Sequence, residues 1–217
     1  MTNLWLDLGN TRLKYWLTDD DGHVLDHAAE QHLQSPAELL KVLTFRLERL
    51  NPDFIGVSSV LGQAVNNDVA ASLERLNKPL AFAQVNAKHA LMSSNYNQAQ
   101  LGVDRWLQML GAVDKHQKQC VIGCGTALTI DLIEYGHHLG GYIFPSIYLQ
   151  RESLFSGTRQ ISIIEGTFDS IASGTNTQDA VHRGILLSIV GAINETIRHY
   201  SDFNITITGG DAATFAP

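Results

Sequence analysis

The sequence predicts an α/β protein built from one unit used twice, each with a mixed β-sheet flanked by helices. Three observations carry this expectation. Apolar runs of strand length alternate with longer stretches of helical periodicity. The chain opens as a hairpin or meander, its strands joined by tight polar turns, before the first helix arrives. The opening turn Leu8-Gly9-Asn10-Thr11 has a chemical counterpart far downstream, at Cys124-Gly125-Thr126-Ala127.

In chain order, Leu4 to Leu8 reads as a short buried strand, Gly9-Asn10-Thr11 as a turn and Arg12 to Thr18 as a second strand. Ser35-Pro36-Ala37-Glu38 has the pattern of a capping box with proline at the first helical position. Leu39, Leu43, Leu47 and Leu50 follow at helical spacing and predict a helix over 36–50. A strand over 54–59, a helix over 64–76 and a strand over 80–85 complete the first unit. The second unit restarts with strands over 119–123, 128–134 and 140–144, with 135–139 read as a turn. Helices fit 147–155 and 177–200, and a last strand fits 204–208. The polar run Lys115 to Lys118 sets the boundary, giving units of 1–117 and 118–217, the second without a closing helix.

A chain of 217 residues with 44% hydrophobic and 17% charged residues has enough apolar surface for a sizeable core. Its net charge of −7 argues against binding nucleic-acid backbones, which requires a basic face. The N-terminal residues Met1 to Asp7 lack the basic lead and apolar run of a secretory leader. The most apolar long stretch, Gly184 to Ile193, is about half of the roughly 20 residues a membrane span requires. The two cysteines, Cys120 and Cys124, do not form a C-x-x-C pair. These features point to the cytoplasm, with no membrane or nucleic-acid partner.

Three glycine turns sit where strands end. In Asp7-Leu8-Gly9-Asn10-Thr11-Arg12-Leu13-Lys14 a carboxylate closes a strand, and exposed backbone N–H groups follow it. Such a turn can serve as an anion nest, with Asp7 holding Mg²⁺ through water; it can equally be an ordinary hairpin turn. Gly125-Thr126 and Thr208-Gly209-Gly210-Asp211 repeat the pattern, and two Gly-Thr turns facing one another would grip a triphosphate. None is a Walker A loop or a dinucleotide fingerprint. Asp104 and Arg105, in Leu101-Gly102-Val103-Asp104-Arg105-Trp106, open a helix. Asp104 either helps start that helix or accepts a hydroxyl proton, while Arg105 can pair bidentately with a carboxylate. Thr177 is either an N-cap or a contact to the acceptor. The adjacent His137 and His138 are read as solvated turn residues.

In this order the segments resemble the type III pantothenate kinases, of the superfamily that includes acetate kinase, sugar kinases and actin. The resemblance runs from Asp7 to Asp211. DLGNTRLK is similar to the first phosphate motif, LGVDRW to the acceptor motif and GTALTID to the second phosphate motif; GGYIFPS, GTNTQDA and TGGDA match further. It implies duplicated actin-like (ribonuclease H-like) units and ATP-dependent phosphorylation of pantothenate to 4′-phosphopantothenate, the first step of coenzyme A biosynthesis. Asp7, Leu8, Gly9, Asn10, Thr11, Arg12, Leu13, Lys14 and Thr126 would line ATP, bound with Mg²⁺. Tyr96, Gly102, Val103, Asp104, Arg105 and Thr177 would bind pantothenate, Asp104 being the proton acceptor. The resemblance also implies a homodimer and a monovalent cation, K⁺ or NH₄⁺. The family's usual aspartate ligand for that cation is replaced here by Gly123, which offers only a carbonyl. No metal ligand is assigned. A sugar kinase of the same superfamily and a non-catalytic transcription accessory factor are the competing expectations.

Overall fold

The computed structural model describes residues 1–32, 35–157 and 168–215. They form two compact units, Met1–Val85 with Leu101–Trp106, and Asn86–Gln100 with Leu107–Pro217.

In the first unit β1 (Thr2–Leu8), β2 (Arg12–Asp19) and β3 (Val24–Gln31) form an antiparallel meander. Helix α1 (Pro36–Leu50) leads to β4 (Phe54–Ser59), and α2 (Gln63–Leu73) with one 3₁₀ turn leads to β5 (Leu80–Phe82). The strand order is β3-β2-β1-β4-β5, with β4 parallel to β1 and to β5. Alternation explains which face is buried. Leu4, Leu6, Leu8, Leu13, Tyr15, Leu17, Ile55 and Val57 point to one side and pack with Leu40, Leu47, Val69 and Leu73 of the helices. Pro36 occupies the first turn of α1 as expected, but the Ser35 side chain makes no capping bond. Asn51 stops the helix in the left-handed region, at φ 43°.

The second unit contains β6 (Ser93–Ser94), most of α3 (Val103–Ala112), β7 (Lys118–Cys124), β8 (Ala127–Glu134), β9 (His137–Pro145), α4 (Ile147–Gly157), α5 (Thr177–His199), β10 (Asn204–Thr208) and α6 (Ala212–Phe215). Its strand order is β10-β7-β8-β9-β6. Substituting β7, β8, β9 and β10 for β1, β2, β3 and β4 reproduces the order 3-2-1-4 with the same parallel and antiparallel pairings. The duplicated mixed-sheet architecture expected from sequence is therefore present. Its core is Cys120, Ile122, Cys124, Leu128, Ile130 and Leu132 against Ile185, Ile189 and Ile193 of α5.

One segment departs from the expectation in a consequential way. Residues 135–139 are not a turn: only Tyr135 and Gly136 form the connection, at φ 50° and 78°, and β9 begins at His137. Two consecutive positive φ values give a tight two-residue hairpin. A bulge between Leu132 and Ile133 pairs Leu132 with Gly140 and Ile133 with His138, so the strand continues across Gly140. His137 and His138 are thus strand residues, and His138 is 1% exposed rather than solvated. The last two residues, Ala216 and Pro217, lie outside the described set.

Candidate active site

The hairpin between β1 and β2 is closed by Gly9 N–H donating to the Arg12 carbonyl at 3.1 Å. His32 supports it from behind, with its Nε2 2.6 Å from Gly9 O and its N–H on Thr11 O at 3.3 Å. Leu8 and Leu13 are core residues, so only their backbone can meet a ligand. Asn10, Thr11 and Arg12 are exposed. A Cβ placed on Gly9 would lie 3.6 Å from its nearest neighbour, an ordinary contact, and Gly9 has no positive φ. The fold itself does not require glycine there.

Strand register sets Asp7 opposite Lys14 and beside Ser58. Lys14 Nζ is 3.4 Å from Asp7 Oδ2, both side chains being partly exposed. Ser58 Oγ is buried without a hydrogen-bond partner. An unpaired buried hydroxyl costs about 1–3 kcal/mol, so a polar ligand or metal-bound water beside Asp7 would suit this spot. The residues fit a hydrated divalent cation there. Among the described residues the grouping of potential ligand atoms is Asp19, Asp21 and His23, an exposed turn cluster in which Asp19 Oδ1 already accepts the N–H groups of Asp21 and His23.

The first unit also contains Asp104 and Arg105. Asp104 is exposed in the first turn of α3, and its Oδ1 accepts the Arg105 N–H at 2.7 Å. A Cβ on Gly102 would stand 2.7 Å from that same Oδ1, so glycine leaves space for the carboxylate. Arg105 is 6% exposed and Trp106 1%. Val103 is half-buried at the helix start.

In the second unit the Gly125-Thr126 turn is topologically equivalent to the first hairpin. Gly125 N–H donates to Ala127 O at 3.1 Å, and Thr126 is exposed. The third glycine turn packs directly on it: Asp211 N–H donates to Cys124 O at 3.2 Å, and Gly209 lies so close to Cys124 that a Cβ would fall 2.2 Å from that oxygen. Thr177 is the first residue of α5 and exposed, but it is not the N-cap. Asn176 takes that role, its side chain accepting the Asp179 N–H at 2.9 Å. Tyr96 stacks on His138 with ring centroids 5.9 Å apart.

Gly123 is buried, and a Cβ there would meet Gln108 Nε2 at 2.5 Å and Thr129 Oγ1 at 2.6 Å. Gln108 Nε2 is itself buried without a partner. The space of a side chain at 123 is therefore held by the Gln108 carboxamide, whose Nε2 and Oε1 lie 2.5 and 2.6 Å from that Cβ, and by the Thr129 hydroxyl. Position 123 itself offers no carboxylate, the ligand the resemblance implied for a monovalent cation. No helix among the described residues is long and apolar enough to cross a membrane.

Comparison with known proteins places this geometry in context. A model of the type III pantothenate kinase family matches residues 3–199. The chain is 68% identical over 213 residues to a type III pantothenate kinase of Psychrobacter arcticus, covering 98% of this chain and 88% of that one. It is 49% identical over 217 residues to a type III pantothenate kinase of Acinetobacter baylyi, covering 100% and 88%. A solved Campylobacter jejuni protein, described as a Baf family transcriptional activator, shares the fold with a TM-score of 0.62 at 19% identity, covering 98% of this chain and 86% of that one.

Proposed function

This chain belongs to the type III pantothenate kinase family, and from that premise we propose that it transfers the γ-phosphoryl group of ATP to the hydroxyl of pantothenate, with Asp104 accepting the hydroxyl proton. The product is 4′-phosphopantothenate, in the first step of coenzyme A biosynthesis. The observation that carries the residue assignment is the exposed Asp104 carboxylate, for which Gly102 leaves room, in the same unit as the Asp7–Lys14 hairpin.

Phosphoryl transfer demands alignment and charge stabilisation more than covalent help. In this reading the backbone from Leu8 to Leu13, with the side chains of Asn10, Thr11, Arg12 and Lys14, holds the phosphates. Neither Gly9 nor Gly125 is required by φ or by internal crowding, which supports close approach of an outside group at both turns. Thr126 adds a hydroxyl from the second turn. Asp7 would hold Mg²⁺ through water, and that ion would offset charge on the phosphate oxygens. Arg105 meets the pantothenate carboxylate in a bidentate pair, a role suited to a guanidinium fixed by burial. Tyr96, Gly102, Val103 and Thr177 complete the acceptor site. Asp104 takes the proton as the acceptor oxygen attacks, the Oδ1 bond from the Arg105 N–H keeping the carboxylate oriented. No step runs through a monovalent cation. We further infer a cytoplasmic homodimer, supported by exposed Ile143, Tyr148, Leu149 and Leu187 on β9, α4 and α5.

Asp104→Asn is the test. Turnover should fall about 10²-fold or more, while the melting temperature and ATP affinity hold, because the side chain is exposed. Near-parental turnover in this variant would remove Asp104 from the role.

A further inference from the structure

The proposed reaction leaves unused a buried polar chain in the second unit. Asp131 on β8 and His138 on β9 have side chains 1% and 0% exposed. A carboxylate so deep in an apolar unit is tolerated only with partners. His138 Nε2 lies 2.9 Å from Asp131 Oδ1, so in the neutral ring the proton sits on Nε2. Nδ1 is then an acceptor, 2.8 Å from Ser94 Oγ, which donates to it. Ser94 Oγ in turn accepts the Tyr96 N–H at 3.0 Å. The Tyr96 ring lies nearly parallel to the imidazole, at 28°.

Every donor in this chain points toward the buried carboxylate: Tyr96 to Ser94, Ser94 to His138, His138 to Asp131. Bonds aligned this way polarise and stiffen one another. In the chain Tyr96 follows the two-residue strand β6, which is paired through Ser93 with His137 and through Ser94 with His138. A two-residue strand gives little rigidity by itself. The polar chain supplies an anchor in the sheet interior, one end at a fixed carboxylate and the other at the Tyr96 backbone. The order Ser-His-Asp is that of a hydrolytic triad, yet the wholly buried imidazole leaves no access for an ester carbonyl.

We propose that Asp131, His138 and Ser94 form a relay that sets Tyr96 for the acceptor, with His138 and Ser94 as positioning residues for pantothenate binding. This rests on the reading of Tyr96 as a pantothenate contact. The relay acts on acceptor affinity, since it ends at the backbone and ring of Tyr96 and includes none of the residues assigned to ATP.

Steady-state kinetics of the full chain carrying Ser94→Ala, Ser94→Thr or Tyr96→Ala test it, each with a thermal melt. Loss of one hydrogen bond should raise the KM for pantothenate about 2–10-fold in Ser94→Ala. The KM for ATP should stay within about twofold, and Ser94→Thr, which keeps the hydroxyl, should recover most of the loss. Equal losses toward both substrates, or a loss that threonine does not recover, mark a scaffold role and overturn the proposal. So does a parental pantothenate KM in Ser94→Ala when Tyr96→Ala raises it. A parental KM in Tyr96→Ala instead removes Tyr96 from the acceptor site, which ends the reading beneath the proposal.

Discussion

Replacing Gly209 with alanine should be among the most damaging single-methyl additions this fold can suffer. Gly209 has φ 109°, a conformation L-residues rarely adopt, and forcing alanine into it costs about 1–3 kcal/mol. The new Cβ would lie 2.2 Å from the Cys124 carbonyl oxygen, 2.6 Å from its carbonyl carbon and 2.8 Å from its nitrogen. Those atoms belong to the backbone of β7, the strand between β10 and β8, and cannot rotate aside as a side chain would. Overpacking adds about 1–3 kcal/mol. Together the terms come to about 2–6 kcal/mol, against a total stability on the order of 5–15 kcal/mol. At roughly 2–4 °C per kcal/mol for a chain of this length, the melting temperature should fall by about 4–24 °C. Two further variants isolate the terms. Gly22→Ala, at φ 84° with nothing within 4 Å, retains only the backbone term of about 1 kcal/mol. Gly111→Ala, within α3 and also in open space, should gain about 0.5 kcal/mol from helix propensity. Urea and thermal unfolding of the three should order them Gly111→Ala, Gly22→Ala, Gly209→Ala from most to least stable. A Gly209→Ala midpoint equal to that of Gly22→Ala would show that the third glycine turn does not rest on Cys124.

Exchanging K⁺ for Na⁺ in the assay should change kcat/KM by less than about twofold, because position 123 carries no carboxylate to hold the ion; a tenfold dependence on K⁺ would refute this. Burial pushes both the Cys120 and Cys124 thiols up to about 11, so a thiol-reactive disulfide at pH 8 should label neither until denaturant is added. Burial and the hydrogen bond to Asp26 push the Tyr15 phenol up to about 12 from its usual 10. The unfolded chain ionises this group first, so its contribution is complete below pH 10 and fades as pH rises toward 12. Urea unfolding across that window should show a loss on the order of 2 kcal/mol, and Tyr15→Phe should flatten it.

Much of the fold was legible because its signals are local. The α1 boundaries follow from Pro36 and a leucine repeat, and β4 and β10 from apolar runs closed by turns. The acceptor-motif helix was legible from Asp104 at its start, and the first glycine hairpin from Asp7-Leu8-Gly9-Asn10. The misses arise where tertiary contacts decide. Position 135 carries tyrosine at positive φ, which sequence pattern does not announce, so the pattern starts β9 too late and reads its histidines as solvated. Asp131 gave a usable signal: a carboxylate within the apolar run Leu128 to Ile133 has to find a partner. Which partner depends on the bulge that brings His138 alongside Ile133, and on a strand from beyond residue 90 that supplies Ser94. Thr177 lost the cap to Asn176 because both can serve, and only the backbone geometry distinguishes them.

The duplication sharpens the chemical assignment. Asp7 and Gly123 occupy equivalent places, each two residues before the glycine of its turn, each on the strand that pairs in parallel with the fourth strand of its sheet. One copy carries a carboxylate in partial contact with solvent and a lysine 3.4 Å away. The other carries glycine under a buried carboxamide and a threonine hydroxyl. Two carboxylates flanking one triphosphate would add negative charge where the phosphates already concentrate it, unless each were matched by a cation. In the proposed reading the single carboxylate, Asp7, calls for a single divalent ion at the first turn. Introducing the missing charge alone, as Gly123→Asp, should therefore not create a cation site. Its Cβ meets Gln108 and Thr129 before any carboxylate oxygen finds a partner, so the variant should lose stability without gaining K⁺ dependence. A K⁺ response that appeared in this variant would contradict the packing described here.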